Sequence, residues 1–414
     1  MKYIFLLPTK YQTMKTSRAT VLISLIVTSV IAGCTGPKRQ VAPKMTVNWI
    51  NEQLQYADSQ YQTMVRNVPD SVMPESIVDG KLKTCHSNSW VAGFYPGALV
   101  YLFEGTGDST FYNEAVKKIP LMNDQQFNTN THDIGFMMFC SYGTLYGLDS
   151  QASYKQILLN SARSLSTRFN PRVGCIRSWG KSTDTTEFRV IIDNMMNLEL
   201  LMWAAHVTGD TTFSHIAITH ANTTMKNHFR PDYSSFHVVV YNPQTGAVIR
   251  KQTAQGKSDS SAWARGQSWG LYGYTMMYRE TRDEKYLQQA RHIASFILHN
   301  PNLPGDMVPY WDYDVTQGDN MARDASAAAI MASAFIELSR YSDSVEAKRY
   351  LDAASIILHS LSSPAYRAPI GQNEGFILEH SVANMNKNTE VNAPLIYADY
   401  YYLEALLRYR DLLQ

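Results

Sequence analysis

From about residue 47 onward the chain repeats one pattern. A long apolar segment at helical spacing ends in a short polar break, and a more mixed segment follows. The breaks are "EGTGDSTFYNEA" (104–115), "YGLDSQASYKQI" (146–157), "VTGDTTFSHIAI" (207–218), "ETRDEKYLQQAR" (280–291) and "RYSDSVEAKRYL" (340–351). An Asp, Ser or Thr there accepts an unpaired N–H of the next helix, so each break predicts two antiparallel helices. The segments before the breaks (91–104, 134–148, 194–207, 262–280 and 322–339) are rich in Ala, Gly, Met and aromatics; those after are amphipathic. The first kind is expected to face inward and the second to meet solvent. With a first helix at 47–65 and a last at 394–411, the pattern predicts an all-α fold of about twelve helices in six hairpins. A closed (α/α)6 barrel fits better than an open solenoid, because the inner segments are too apolar to line an exposed concave face.

The N-terminus follows a different rule. Lys10, Lys15 and Arg18 precede an apolar stretch at 19–32, shorter than the roughly 20 residues of a membrane-spanning helix. It ends in "VIAGC", where Ala32 and Gly33 before Cys34 resemble the lipobox of bacterial lipoproteins; an ordinary cleaved signal beside a chance Cys is the plainer alternative. The expected division is a lipoprotein signal peptide at 1–33, a lipidated Cys34 with a polar tether at 34–45, and a catalytic barrel at 46–414. Met14 is an alternative start. This places the protein on a bacterial membrane by its lipid anchor only, facing the periplasm.

Composition narrows the chemistry. Lys+Arg 37 against Asp+Glu 36 gives a net charge of +1, with no basic stripe to track a phosphate backbone, so a nucleic-acid partner is not expected. Cys85, Cys140 and Cys175 lack C-x-x-C spacing, which argues against a disulfide framework or a zinc site and leaves core thiols.

Unusual residues gather where the inner helices begin: "CHSNSWVAGFYPG", "THDIGF", "VIIDNMMN", "SAWARGQSWG", "GDNMARDAS" and "KNTEVNAPLIYADYY". All six belong to one end of the barrel, where unpaired N–H groups and helix dipoles favour an anion such as a uronate carboxylate. Two long connections, 170–190 and 230–261, open on the same end. The second reads as a β-hairpin, "FHVVVYNPQTGAVIRKQT", bringing His237 to the mouth. Asp133 sits at a helix start beside His132, where the dipole and an imidazolium lower a carboxyl pKa. Asp193 lies among Ile191, Ile192, Met195 and Met196, where desolvation raises it. Taken singly, Asp133 also reads as an N-cap and Asp193 as a capped strand-to-helix turn.

"HDIGF", "IIDNMMNLELL", "SAWARGQSWGLYGY" and "LIYADYYYLEALL", in this order, resemble the unsaturated glucuronyl hydrolases of glycoside hydrolase family 88 along the whole chain after the tether. The resemblance implies an (α/α)6 barrel with no metal or organic cofactor. It implies a substrate in which a polysaccharide lyase has left a Δ4,5-unsaturated uronic acid on an oligosaccharide. It assigns Asp193 to protonating C4 of the enol ether and then accepting a proton from the water that adds at C5. Asp133 holds substrate hydroxyls and supports the developing cation. Further contacts carried over by motif are Arg265 and Gln255 to the uronate carboxylate, Trp90 and Trp269 stacking on sugar rings, and His132 and His237 as hydrogen-bond donors. The loop "EHSVANMNKNTEV" (379–391) is expected to overhang the leaving sugar, with Ser381, Asn384, Asn386 and Lys387 near sulfate or N-acetyl groups. Chondroitin, hyaluronan and heparin fragments all stay open, as does the oligomeric state. An unsaturated rhamnogalacturonyl hydrolase, a non-catalytic glycan-binding lipoprotein and an inverting hydrolase of saturated sugars are the rival readings.

Overall fold

The computed structural model describes residues 42–414; the expected signal peptide, Cys34 and most of the tether lie outside the described residues. Six outer helices are α1 (Val47–Asn67), α3 (Ser109–Lys118), α5 (Ala152–Ser166), α7 (Thr211–His228), α9 (Glu284–His299) and α11 (Ser344–Leu361). The inner ring is α2 (Phe94–Thr106), a π-helical segment (Gly135–Gly143) running into α4 (Thr144–Leu148), a 3-10 turn (Ile192–Asn197) running into α6 (Leu198–Thr208), α8 (Ala264–Thr281), α10 (Ala325–Ser339) and α12 (Ile396–Leu413). Each inner member touches the next, and α12 closes on α2, so the ring is a barrel.

The two helix populations differ as their patterns demand. All of α10, "ASAAAIMASAFIELS", is buried, its alanines and serines letting neighbours crowd in on every side. By contrast α9 buries a stripe that includes Tyr286, Ala290, Ile293 and Ile297 and turns the rest outward. Asp108, Asp210, Asp283 and Asp343 cap α3, α7, α9 and α11 through the N–H groups of Thr110, Thr212, Lys285 and Val345. The second break, before α5, departs from this rule. The N-cap of α5 is Gln151, which makes no side-chain cap, and Asp149 is occupied by the Gln151 side-chain amide at 2.6 Å.

Short strands decorate the end where the inner helices begin. β1 (Met73–Val78) pairs with β2 (Lys81–Cys85), and β3 (Phe169–Asn170) with β4 (Cys175–Ile176). The expected hairpin is present as β6 (Val238–Tyr241) and β7 (Val248–Gln252), but β5 (Phe188–Ile191) joins it from the other long connection, pairing Val190 with Val239. A last hairpin, β8 (Ser381–Asn384) with β9 (Thr389–Ala393), lies before α12. The π-helical segment fits tightly against α2, where a Cβ on Gly97 would come 2.0 Å from the Cys140 carbonyl oxygen. Cys85, Cys140 and Cys175 are free thiols. Among the described residues no helix is long and apolar enough to cross a membrane, and no cluster of His, Cys, Asp or Glu is arranged to hold a metal ion.

Candidate active site

Where the inner helices begin, Trp90, His132, Asp133, Trp179, Ile191, Asp193, Gln255 and Arg265 surround a cavity of about 110 Å³. Pockets for drug-sized ligands span roughly 300–1,000 Å³, so this one suits a single sugar ring with the rest of a chain outside.

Asp193 is delivered by β5. The Ile192 N–H donates to the His237 carbonyl at 3.0 Å, which locks the strand end to β6 and turns Asp193 into the first residues of the 3-10 turn. Its Oδ2 is buried and has no hydrogen-bond partner. Burial pushes its pKa up to about 7, opposed by the charge of Arg265 and helped by Asp133. At neutral pH this carboxyl therefore exchanges between acid and base, as a group that must give a proton and then take one requires.

Asp133 does not cap the π-helical segment, whose N-cap is Ile134. Its Oδ2 accepts the Thr131 hydroxyl at 2.8 Å, while that hydroxyl oxygen accepts the Asp133 N–H at 3.1 Å. Its Oδ1 lies 3.3 Å from His132 Nε2. The expected imidazolium is not supported, because burial of His132 lowers its pKa and favours the neutral ring. Asp133 thus has a neutral imidazole beside it rather than a cation.

His237 stands behind Asp193 and does not line the cavity. Its Nδ1 accepts the N–H groups of Ala254 and Gln255 at 3.1 and 3.2 Å, so the proton sits on Nε2, 3.7 Å from Asp193 Oδ2. Burial lowers its pKa to about 3, so this ring stays neutral. Arg265 and Gln255 form the opposite wall. Arg265 Nη1 donates to Asp324 at 2.8 Å and to the Val382 carbonyl, and its Nη2 and Gln255 Nε2 each donate to the Ala383 carbonyl at 2.7 Å. The guanidinium is at once an internal ion pair and a cavity wall. A protonatable acid, a second carboxylate, a guanidinium and tryptophan faces around one ring-sized space are the parts of a glycosidase acting on an anionic sugar.

The sequence profile of Glycosyl Hydrolase Family 88 matches residues 56–277. The chain belongs to this family. It is 44% identical over 371 residues to an unsaturated glucuronyl hydrolase of Formosa agariphila, covering 88% of this chain and 91% of that one. It is 33% identical over 331 residues to an unsaturated chondroitin disaccharide hydrolase of Streptococcus pneumoniae, covering 78% and 83%. The crystal structure of an unsaturated glucuronyl hydrolase specific for heparin superposes with a TM-score of 0.85 at 44% identity, covering 89% of this chain and 98% of that one. The protein is a glycosidase with the (α/α)6 barrel of its relatives.

Besides His237, four more expected contacts of this family-88 chain lie away from the cavity lining. Trp269, expected to stack on sugar, is wholly buried against Phe136 and Tyr401. It follows Arg265 on the same face of α8 but one turn further in, about 6 Å deeper at 1.5 Å per residue. Ser381 is buried too, its Oγ accepting the Ser326 N–H at 3.1 Å at the start of α10. Lys387 is exposed on the β8–β9 turn, away from the cavity lining. Asn386, also expected there, donates to the Ala254 and Gly256 carbonyls and so fastens the hairpin to the loop bearing Gln255.

Trp179, Trp263 and Asp324 were not anticipated. Trp179 lines the cavity from the 170–190 connection, which Ser178 secures by accepting the Ile191 N–H at 3.0 Å. Trp263 lies beside His237, with centroids 4.5 Å apart, and under the Arg265 guanidinium at 4.6 Å. For Trp179 the sole sequence signal is a tryptophan in a Ser/Gly turn; Asp324 stands in "ARDAS" as a readable N-cap whose second partner is remote in sequence.

Proposed function

We propose that this site releases a Δ4,5-unsaturated uronic acid from the non-reducing end of glycosaminoglycan-lyase products by hydrating its C4=C5 bond. The observation that carries the reading is Asp193: largely buried, with a buried partnerless oxygen and a pKa pushed up to about 7, facing a one-ring cavity walled by Arg265. Protonation of a vinyl ether at carbon needs an acid of this kind, followed at once by a base. In the proposed sequence the Asp193 proton forms the new C4–H bond and the ring oxygen shares the positive charge left at C5. Water then adds at C5, giving its proton to the Asp193 carboxylate. The resulting hemiketal opens, and the remaining sugar leaves from C1 as its alcohol. Asp133 and His132 hold ring hydroxyls, Trp90 and Trp179 offer faces to the sugar, and Arg265 with Gln255 receives the uronate carboxylate. Because the reacting carbons are C4 and C5, the carboxylate spacing rules of anomeric hydrolysis do not govern the site.

The substrate class is supported by what the relatives are named for: an unsaturated chondroitin disaccharide in one, heparin specificity in another at 44% identity. Heparin-type disaccharides are the first candidates. Lipidation of Cys34, with the barrel carried on a periplasmic membrane face, completes the proposal and rests on the basic start, the apolar stretch and "VIAGC" at its end. The test is to offer the purified protein unsaturated disaccharides from heparin, chondroitin, hyaluronan and rhamnogalacturonan lyases and to follow the absorbance of the conjugated alkene. It should fall for at least one glycosaminoglycan product. Loss on the rhamnogalacturonan product alone would favour the pectin reading, and binding without loss on any would favour a non-catalytic glycan-binding protein.

A further inference from the structure

We propose that Asn197 is a positioning residue that fixes the separation of the Asp133 and Asp193 carboxyl groups. The inference rests on the reading that these two aspartates carry the reaction.

The aspartates enter the cavity on two different inner elements, and a directed hydrogen bond ties those elements together. Asn197 closes the 3-10 turn whose second residue is Asp193, and its Oδ1 accepts the N–H of Phe136 at 2.9 Å, across 61 residues of sequence. Phe136 stands three residues after Asp133, in the first turn of the π-helical segment, where backbone N–H groups have no partner within the helix. Between the two aspartates, then, the path is Asp193 to Asn197 to Phe136 to Asp133, with every member but the aspartates wholly or almost wholly buried.

Gly135 makes the same contact from the other side. A Cβ there would lie 2.5 Å from Asn197 Cα and 2.6 Å from its Oδ1, so the two backbones meet with no room for a side chain between them. The amide orientation is set by the bond it accepts, which leaves Nδ2 buried without a partner. A purely packing role at this place would be better met by an apolar side chain. The retained amide matches a need for one directed hydrogen bond.

Neither Asn197 nor Gly135 lines the cavity, whereas Trp90, Gln255 and Arg265 reach it from other segments. Losing the contact therefore shifts one aspartate against the other and leaves Trp90, Gln255 and Arg265, the groups proposed to hold the ring face and the uronate carboxylate, where they are. Asp193 is faced by Asp133 from the entry to the π-helical segment, by His237 before β6, by Arg265 from α8 and by Tyr397 from α12, while His132 stands beside Asp133. Of these, Asp133 draws its pKa up and Arg265 down, so retreat of Asp133 moves the alkaline limb of the rate profile to lower pH.

The experiment compares Asn197→Ala, Asn197→Asp and Gly135→Ala with wild type, per folded molecule, on a disaccharide the wild type turns over. Displacement of a reacting group by about 1 Å can cost on the order of a hundredfold. The expected result for Asn197→Ala is a loss of about tenfold or more in kcat with KM within about threefold, and an alkaline limb displaced to lower pH. Asn197→Asp keeps an oxygen acceptor and should recover most of the rate on the acid plateau; Gly135→Ala, which wedges the same contact, should repeat the loss. Wild-type kcat in Asn197→Ala, or a loss that Asn197→Asp does not recover and that leaves the pH profile unmoved, would overturn the proposal. If Asn197→Ala does not fold, the same criteria on Gly135→Ala decide. Asp193→Asn serves as the control: activity retained there would remove the aspartate reading itself, whereas an inactive Asp193→Asn beside a fully active Asn197→Ala removes only the role of Asn197.

Discussion

Asp193 is held in a state that costs the fold stability. Its pKa is raised to about 7, first by burial, from an ordinary value of 3.8. A carboxyl whose folded pKa lies above its unfolded one contributes stability fully at low pH and loses it as pH rises toward the folded value. The loss here runs from about pH 4 to pH 7. Asp193→Asn keeps the shape and removes the ionisation, so two effects should separate. Turnover should fall by about a hundredfold or more, the scale of a positioned acid–base group. Thermal melts should show the variant more stable than wild type at pH 8, with the gap closing toward pH 4. Equal pH dependence of the two melting curves would mean that Asp193 is not the buried acid described. The apolar neighbours Ile191, Ile192, Met195 and Met196 already announce this desolvation in the sequence, because they follow from adjacency alone. Depth along a helix does not: Arg265 and Trp269 share a face and read alike, yet one walls the cavity and the other packs below it.

At the scale of single elements, the two ends of the barrel should respond differently to substitution. Asp108 caps α3 at the break after α2, the end away from the cavity, and also accepts the Gln62 side chain at 2.9 Å. Asp108→Ala should cost about 1–2 kcal/mol in denaturant unfolding and leave turnover unchanged. Gly97 touches the π-helical segment that follows Asp133, so Gly97→Ala should destabilise by about 1–3 kcal/mol and lower activity as well. Equal effects of the two on activity would contradict this polarity. The cap aspartates are legible because a cap is local in sequence; α5 escapes the rule because Asp149 lies too early and spends its carboxylate on Gln151. The π-helical winding of Gly135–Gly143 is not legible, since nine mostly apolar residues suit either pitch. Neither is the pairing of β5 with β6, which joins segments about fifty residues apart whose register no local signal states.

For the whole molecule, closure of the barrel follows from a property visible in the sequence: inner segments apolar all round must be enclosed, and the contact of α12 with α2 encloses them. The anchor is a separate matter from the barrel. Replacing Cys34 by Ser should move the protein from membranes to the soluble fraction with activity intact, since the acyl chains are its one proposed attachment. Membrane association that persists would point to an uncleaved N-terminal segment instead. What unites fold and site is the reaction at C4 and C5, and a solvent label reads it directly. Hydration must deliver a solvent proton to C4, whereas attack at the anomeric carbon leaves C4 untouched. In D2O, early product examined by NMR, before the released keto sugar exchanges its neighbouring protons, should carry deuterium at C4. It should be added on one face, because Asp193 is fixed on one side of the ring. A cleaved glycosidic bond with no deuterium at C4 would contradict hydration and return the protein to conventional glycoside hydrolysis.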